Sequence, residues 1–282
     1  MNFPLVSIII PTKNSALTLL DCLESISSQS YTNLEIIVVD NFSTDSTLKI
    51  AKKYTSQVYQ KWDERTTQKN YWILQSQGAY LCFIDSDMVL EADVVSECLD
   101  IISQAESMWW VCIRERSKWN SFFARVRDFE RSFYHSSDVA SARFFRKKDV
   151  VEVWGFEENL VFFEESILPQ KIEKILSKNC HASTKESSIF HLEWNLKLLP
   201  WLQKKYYYWK SMQKYILLST QKWLSNTSKN QVGIVWRYLL FLRDTRFYSS
   251  PLLAIWVIAL KTLEFGFWGV GYFVNFITHD KK

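Results

Sequence analysis

The fold is decided by the stretch from Tyr80 to Asp87, which reads Tyr-Leu-Cys-Phe-Ile-Asp-Ser-Asp. Its first five residues are apolar and rich in aromatic and β-branched types, which is typical of a buried strand. Asp85 and Asp87 then stand where this strand leaves the core. In open α/β sheets ligands bind outside the carboxyl ends of the strands, and two carboxylates there suit Mg²⁺ or Mn²⁺ carrying phosphates. The alternative is an acidic turn that caps the next helix.

Two earlier apolar runs predict further buried parallel strands, Leu5–Ile10 and Leu34–Val39. A helical pattern capped by Ser15 follows the first run, and Ser46–Tyr54 predicts a helix after the second. Short connections between these elements favour a right-handed, doubly wound topology. The predicted fold class is therefore α/β, with a mixed and mainly parallel sheet. The apolar stripe predicted for the first helix consists of Ala16, Leu19, Leu20, Leu23 and Ile26.

Polar residues follow each of the three predicted strands. Because the carboxyl ends of parallel strands meet at one edge of a sheet, these residues predict a single site. A helix predicted within residues 63–77 adds Arg65 and Lys69, which could neutralise phosphate charge or simply form a solvated face. The polar residues after the strands are Thr12 and Asn14, then Asp40 and Asp45, then Asp85 and Asp87.

Three motifs carry a resemblance to a known family. Pro11-Thr12-Lys13-Asn14, Val38–Asp45 (Val-Val-Asp-Asn-Phe-Ser-Thr-Asp) and Ile84-Asp85-Ser86-Asp87 resemble, in order and spacing, the nucleotide-sugar motifs of family-2 glycosyltransferases with the GT-A fold. Asn41 replaces an acid often found in the second motif, which leaves the base, uracil or guanine, open. The resemblance implies a nucleotide-sugar site made of Pro11, Thr12, Asn14, Asp40, Asn70 and Asp85. It also implies a Mg²⁺ or Mn²⁺ site made of Asp85, Asp87 and His191, although a lone His beside apolar residues is more often structural.

The segment Phe162-Phe163-Glu164-Glu165 resembles the acidic motif of the same family, which is usually Glu-Asp. An inverting transfer needs a carboxylate to take the proton of the acceptor hydroxyl, so Glu165 is the predicted base and Glu164 its catalytic neighbour. The helix dipole would equally favour acids at a helix start. Ile167 stands where family members often carry a further acid. Arg143, before this segment, lies where related sequences often carry Arg.

Residues 196–282 are predicted to form a helical extension of a catalytic domain at residues 1–195. From Lys197 to Arg246 there are ten Lys or Arg and one acid, which suits an anionic membrane surface. Residues 251–260 and 265–276 are apolar and predict two interfacial or re-entrant helices, between which Lys261 and Glu264 could pair, in preference to a single transmembrane helix that would bury both charges. The alternative is ordinary amphipathic packing on the catalytic domain.

The five cysteines are odd in number and lack paired metal-type spacing, which predicts reduced thiols in the core of a cytosolic domain. They are Cys22, Cys82, Cys98, Cys112 and Cys180.

These features predict a metal-dependent, inverting glycosyltransferase at the cytoplasmic face of the cell membrane. Its expected partners are a UDP- or GDP-linked sugar, a lipid-linked or glycan acceptor and the membrane surface. Nucleic acid is not expected, because a nucleic-acid surface does not require the apolar run after Leu252. The alternatives are a binding protein of the same fold that has lost catalysis, and a nucleotidyltransferase. A nucleotidyltransferase would normally have a Gly-rich phosphate loop after its first strand, where this chain has Pro11–Asn14.

Overall fold

The structure is a computed structural model, and its described part contains one mixed sheet, a 3-10 helix and nine α-helices with the bounds given below, besides helical residues at 198–199, 201–203 and 205–206. The described residues are 3–60, 65–104, 108–119, 121–135, 137, 140–157, 164–176, 180–193, 198–199, 201–203, 205–206 and 233–279. The strands are β1 (Val6–Thr12), β2 (Leu34–Asp40), β3 (Val58–Gln60), β4 (Tyr80–Phe83), β5 (Met88–Leu90), β6 (Met108–Lys118), β7 (Ala142–Arg146) and β8 (Cys180–Leu192). The helices are α1 (Leu19–Ser27), α2 (Thr47–Ala51), α3 (Arg65–Gln75), α4 (Val94–Ser103), α5 (Phe122–Arg131), α6 (Lys147–Glu152), α7 (Glu164–Leu176), α8 (Ile234–Leu242) and α9 (Pro251–His279), with the 3-10 helix at Thr245–Ser249.

The strand order is β3-β2-β1-β4-β7-β6-β8-β5. The first four strands in this order are parallel, whereas β7 runs antiparallel to β4 and to β6, and β5 runs antiparallel to β8. The predicted mixed α/β sheet is thus confirmed. Because β1 lies between β2 and β4, the three polar segments predicted to form the site follow adjacent strands.

Two apolar clusters cover the two faces of this sheet. Side chains of a strand alternate between faces, so Ile8 and Ile10 belong to one cluster and Ile9 to the other. All three are fully buried, as the continuous β-branched run predicts. The four cysteines whose side chains are described are free and buried, which confirms the prediction for these four, and burial raises the pKa of Cys82 and Cys112 to about 12. The side chain of Cys180 lies outside the described residues.

Helix α1 starts later than the sequence predicts. Residues 16–18 form a turn and Thr18 occupies the N-cap position, so Ser15 does not cap the helix. The backbone N–H of Ser15 donates instead to Thr47 Oγ1, at the start of α2, at 2.7 Å. The later start changes the buried face. Ala16 and Leu20 of the predicted stripe are not buried, and the buried residues of α1 are Leu19, Cys22, Leu23 and Ile26.

The chain divides into two compact units. The first consists of Met1–Arg116, Ala140–Asn159 and Glu164–Leu192, and the second of Ser117–Val139, Leu160–Phe163 and Glu193–Lys282. The last crossing between them, after Leu192, lies close to the domain boundary predicted at residue 195. The second unit also takes in residues 117–139, which the sequence-based division placed in the catalytic domain.

A buried ionic cluster lies inside the second unit, formed by Arg127, Glu130, Lys205, Lys261 and Glu264. Lys261 Nζ lies 2.5 Å from Glu130 Oε1 and 2.6 Å from Glu264 Oε2, and Lys205 Nζ lies 2.7 Å from Glu264 Oε1. Arg127 pairs with Glu130 one turn away. Arg127 and Glu130 of helix α5 are both buried, where they take part in this neutralisation of charge.

Burial opposes the ionisation of Glu264, but Lys205 and Lys261 outweigh it and lower the pKa of Glu264 to about 2. Burial also lowers the pKa of Lys205 to about 8, despite the attraction of Glu264. Because the pKa of Glu264 is below its ordinary value, its ionic contribution to stability is fully present above pH 4.5 and is lost as the pH falls towards 2.

Helix α9 is one continuous helix, so the expectation of two separate helices is wrong. The charges at Lys261 and Glu264 do not interrupt it, since they pair with each other as predicted and with Glu130. Within the described residues, no helix combines the length and the apolar character needed to cross a membrane.

We expect Lys261→Ala to destabilise the protein by about 3–5 kcal/mol, because it leaves two buried carboxylates without their shared cation. Leu263→Ala on the exposed side of the same helix should cost less than about 1 kcal/mol. Urea unfolding at pH 7 measures both values. Equal losses in the two variants would show that the cluster is not a structural ion network.

Candidate functional site

The loops after β1 and β2 are joined by a set of hydrogen bonds. The backbone N–H of Asn14 donates to Ser43 Oγ at 2.7 Å, and the N–H of Thr44 donates to Asn14 Oδ1 at 2.9 Å. The N–H of Ala16 donates to Asp45 Oδ2 at 3.1 Å. Asn14 has a positive φ of 48°, a conformation that Asn tolerates better than most residues, which aims its side chain across the gap. The two loops therefore form one polar rim.

The loop after β4 joins the same rim. Ser86 Oγ donates to Ser15 Oγ at 2.8 Å, which links the acidic tripeptide to the loop after β1. Asp85 and Asp87 are both half-buried. The structure thus brings together the polar segments of all three predicted motifs, as parallel strands with aligned carboxyl ends require.

Thr12 and Asp40 are direct neighbours at the base of this rim. They are paired residues of β1 and β2, and Thr12 Oγ1 donates to Asp40 Oδ1 at 3.0 Å. The N–H of Ser43 donates to Asp40 Oδ2 at 2.8 Å. Both side chains are buried, so they fix the shape of the rim from below. Pro11 precedes them, half-buried and paired with Val39.

His191 lies next to the acidic tripeptide. It pairs with Met88 across β5 and β8, and the backbone N–H of Leu192 donates to the carbonyl of Asp87 at 2.7 Å. The sequence places Asp87 and His191 more than 100 residues apart, and the sheet brings their backbones together. Among the described residues, no group of three or more His, Cys, Asp or Glu side chains is arranged to hold a metal ion.

A chain of contacts connects His191 to Asp85 through Glu115 and Arg143. His191 Nε2 lies 3.0 Å from Glu115 Oε2, and Arg143 Nε donates to Glu115 Oε1 at 2.6 Å. Arg143 Nη1 lies 3.5 Å from Asp85 Oδ2. Burial disfavours the charged guanidinium, but Glu115, Asp85 and Glu165 outweigh this and raise the pKa of Arg143 well above its ordinary value. Arg143 therefore stays charged between two carboxylates.

Glu115 was not among the site residues predicted from the sequence. It follows the apolar run Trp109–Ile113 of β6, and an acid just after an apolar strand is the same signal that identified Asp40 and Asp85. Arg114 and Arg116 on either side of Glu115 make this segment resemble an ordinary solvated strand end. Only the pairing within the sheet shows that its carboxylate faces Arg143.

Glu165, the predicted base, lies at the start of α7 and faces Lys69. Lys69 Nζ is 3.4 Å from Glu165 Oε1 and lies over the rings of Phe156 and Phe83, at 5.1 and 5.6 Å from their centroids. The side chain of Lys69 is only 1% exposed, so its ammonium pairs with this carboxylate and is not open to solvent. Ile167, two residues after Glu165, is buried. The side chain of Glu164 lies outside the described residues, as do Asp63 and Glu64 and the side chain of Arg65.

Asn70 holds the turn before the acidic motif. Its Nδ2 donates to the carbonyl of Phe156 at 2.8 Å, and its Oδ1 accepts from the N–H of Phe156 at 2.7 Å. Gly155 has a φ of +67°, and a Cβ there would lie 2.4 Å from Asn70 Oδ1, so the contact requires glycine. Asn70, which was predicted to bind the nucleotide sugar, thus fixes the backbone at Phe156.

The residues present fit a divalent cation. Leaving aside Asp40 and Asp45 of the first two loops, the described site has four acids and two cations, a formal charge of −2 with His191 neutral. The acids are Asp85, Asp87, Glu115 and Glu165, and the cations are Arg143 and Lys69. Mg²⁺ is usually bound by one or two carboxylates together with substrate phosphates, and Asp85 and Asp87 are side chains of the type that such an ion takes.

Comparison with known proteins agrees with this geometry. The profile of glycosyl transferase family 2 matches residues 7–156, just over half of the 282 residues. The chain belongs to glycosyl transferase family 2. It is 36% identical over 103 residues to chondroitin synthase of Escherichia coli, and 30% identical over 110 residues to the poly(ribitol-phosphate) beta-N-acetylglucosaminyltransferase TarS of Staphylococcus aureus. These matches cover 34% and 36% of this chain, but only 15% and 19% of the two relatives.

Solved structures show that this family-2 chain has the GT-A fold. S. aureus TarS 1-349 in complex with UDP-GlcNAc superimposes with a TM-score of 0.57, at 18% identity, over 92% of this chain and 81% of that one. The mannosyltransferase PcManGT of Pyrobaculum calidifontis, in complex with GDP-Man and Mn²⁺, gives a TM-score of 0.61 at 15% identity, over 91% and 74%. The predicted family and fold are thereby confirmed.

We expect Arg143→Leu to lower the free energy of unfolding by about 3 kcal/mol, because Glu115 and Asp85 lose the cation between them. Arg114→Leu is the matched control, since Arg114 lies in the same strand as Glu115 and only its bond to the carbonyl of Lys185 is at stake, worth about 1 kcal/mol. Denaturant unfolding compares the two. Similar losses would contradict a special role for the Arg143 guanidinium.

Proposed function

We propose that this family-2 chain transfers a sugar, with inversion, from a UDP- or GDP-linked donor to a lipid-linked or polysaccharide acceptor. The observation that carries the proposal is the polar rim, where the loops after β1, β2 and β4 are bonded together around Asp40, Asp85 and Asp87. The similarity of the whole chain's fold to TarS bound to UDP-GlcNAc and to PcManGT bound to GDP-Man and Mn²⁺ supports a nucleotide sugar as the donor.

In this proposal the loops after β1 and β2 hold the nucleoside. Thr12 and Asp40 lie at the base of the rim, where Asp40 accepts from Thr12 and Ser43, and Asn14 bridges the two loops above them. Their mutual hydrogen bonds set the positions of polar groups before a ligand arrives, which lowers the entropy lost on binding. Pro11 and Asn70 act by shaping the backbone around the donor.

Asp85 and Asp87 would hold Mg²⁺ or Mn²⁺, with His191 as the predicted third ligand. A divalent metal stabilises the negative charge that develops on a departing nucleoside diphosphate. Arg143 sets the position of the Asp85 carboxylate, and Glu115 holds the imidazole of His191 through its Nε2. A hydrogen bond at one ring nitrogen selects the tautomer and leaves the other nitrogen for a ligand.

Glu165 is the proposed general base, with Glu164 beside it. Its carboxylate would take the proton of the acceptor hydroxyl while the hydroxyl oxygen attacks the anomeric carbon, on the face opposite the leaving diphosphate. Lys69 Nζ, 3.4 Å from Glu165 Oε1, would orient this carboxylate towards the acceptor.

A second candidate is a GT-A protein that binds a nucleotide sugar without transferring it. Two observations favour it: Glu165 already has an ion-pair partner in Lys69, and Ile167, where relatives often carry an acid, is packed in the interior. The two candidates share the donor site and differ only in turnover, so binding and catalysis must be measured separately.

Donor binding is tested by thermal unfolding with UDP-, GDP- and dTDP-sugars, with and without Mn²⁺. A nucleotide at 100 times its dissociation constant should stabilise the protein by about 2.7 kcal/mol. Asp87→Ala should abolish the metal-dependent part of the shift. Asp93→Ala, at an exposed acid that follows β5 and makes no side-chain cap bond to α4, should keep it. A folded protein that no nucleotide stabilises would contradict both candidates.

Catalysis is tested by Glu165→Gln, which should slow release of the nucleoside diphosphate from the donor by about 10²–10⁴-fold while the thermal shift persists. Glu173→Gln makes the same chemical change further along α7 and should leave the rate unchanged. A wild-type protein that binds a donor but releases no diphosphate, with acceptor glycans present, would favour the non-catalytic candidate.

A further inference from the structure

Helix α9 is apolar on both of its sides over Pro251–Glu264. One side packs into the core of the second unit through Leu253, Val257 and Leu260. The other side faces solvent although its residues are apolar. Leu252 is 62% exposed, Ile255 67%, Trp256 45% and Leu263 42%. These four residues, spaced at intervals of three, one and seven, lie on one stripe of the helix, which we call the exposed stripe.

The charged side chains of this segment face the interior of the second unit and not the solvent. Lys261 and Glu264 are both buried in the ionic cluster, so over Pro251–Glu264 the exposed side carries no charged residue. A surface helix of a soluble protein normally has polar residues on its solvent side, and a helix that is apolar all round needs an apolar environment on every side. Contiguous exposed apolar surface of this kind marks an interaction site.

Aromatic side chains extend the exposed stripe onto helix α5. Phe122, at the first position of α5, contacts Trp256 edge to face with ring centroids 5.8 Å apart, and it is itself 44% exposed. Trp119, just before α5, is more than half exposed and lies beneath the guanidinium of Arg125 at 5.5 Å. Exposed Trp rings beside Arg are typical of the boundary between lipid headgroups and acyl chains.

The charge of the second unit indicates which kind of partner binds the exposed stripe. Its sequence contains 17 Lys or Arg and 7 Asp or Glu, a formal charge of +10, although the whole chain carries only +4. Lys118, Arg125 and Arg243 are exposed cations of this unit. A second copy would carry the same excess of positive charge and would be repelled, whereas an anionic bilayer is attracted by it.

We propose that the exposed stripe is the surface by which this protein docks on an anionic lipid bilayer, with α9 lying in the plane of the interface. Leu252, Ile255, Trp256 and Leu263 enter the boundary between headgroups and acyl chains. Trp119 and Phe122 lie at headgroup level, and the surrounding cations contact lipid phosphates. The predicted location at the cytoplasmic face of the cell membrane, and a lipid-linked acceptor, are both consistent with this docking.

Sedimentation with vesicles tests the proposal on the full chain. We compare phosphatidylcholine vesicles with vesicles that contain roughly 30 mol % phosphatidylglycerol, and expect about tenfold stronger partitioning into the anionic ones, weakening as salt increases. The variant Leu252→Gln/Ile255→Gln/Trp256→Gln should lose about tenfold or more in partitioning. The matched control is Leu74→Gln/Val151→Gln/Ile175→Gln, which changes three exposed apolar residues of the first unit and should bind as the wild type does.

Equal binding by the two triple variants would overturn the proposal, and so would binding that is indifferent to the lipid charge. Self-association without lipid that only the stripe variant abolishes would assign the stripe to a second copy and would likewise overturn it. The nucleotide-induced thermal shift is measured on the same samples. Vesicle binding without a shift would leave the docking surface intact while the proposed function fails.

A labelling experiment does not depend on the folding of a triple variant. In a Cys180→Ser background the other cysteines are buried, so an environment-sensitive fluorophore can be attached at Ile255→Cys. Anionic vesicles should shift its emission to shorter wavelength, and the same fluorophore at Leu74→Cys should not respond. A label at residue 255 that remains in an aqueous environment on bound vesicles would exclude the stripe as the contact surface.

Discussion

The position of β1 between β2 and β4 is the constraint on which the site depends. Parallel pairing of β1 with both neighbours sets Thr12 opposite Asp40 and carries Asp85 and Asp87 to the same edge. This pairing requires a strand that is apolar on both faces, and Val6–Ile10 is fully buried. If β1 slipped by one residue, its side chains would exchange faces and the three loops would no longer meet. Binding chemistry in this chain thus follows from the packing of one buried strand.

Charge is distributed in opposite senses in the two units. The first unit has 17 Lys or Arg and 23 Asp or Glu, and its site brings acids together around Arg143 and Lys69. The second unit is strongly basic, and its buried acids Glu130 and Glu264 are used to neutralise Lys205 and Lys261. The modest net charge of the whole chain therefore conceals an acidic unit and a basic one.

The sequence was sufficient for the sheet and for the three loops, because apolar runs and the polar residues that end them are local signals. It was not sufficient for Glu115, whose partners His191 and Arg143 come from other strands and are known only once β6, β7 and β8 are paired. The same limit explains Lys69, for which the sequence left phosphate neutralisation and a solvated helix face open, and which is buried beside Glu165. Helix α9 was predicted as two helices because the charges at Lys261 and Glu264 suggested a break. Their neutralisation by residues distant in sequence could not be seen from the segment itself.

The proposed function requires that Asp85 and Asp87 form a divalent-cation site that a nucleoside diphosphate completes. Electron paramagnetic resonance of Mn²⁺ tests this most directly, since the signal of the free hydrated ion falls as the ion binds. We expect about one Mn²⁺ per chain to bind in the presence of UDP or GDP and much less without it, given that phosphates complete such sites. Asp87→Ala should abolish this binding and Glu165→Gln should retain it. If Mn²⁺ remained free with every nucleoside diphosphate, or bound equally well to Asp87→Ala, the assignment of the site would be wrong.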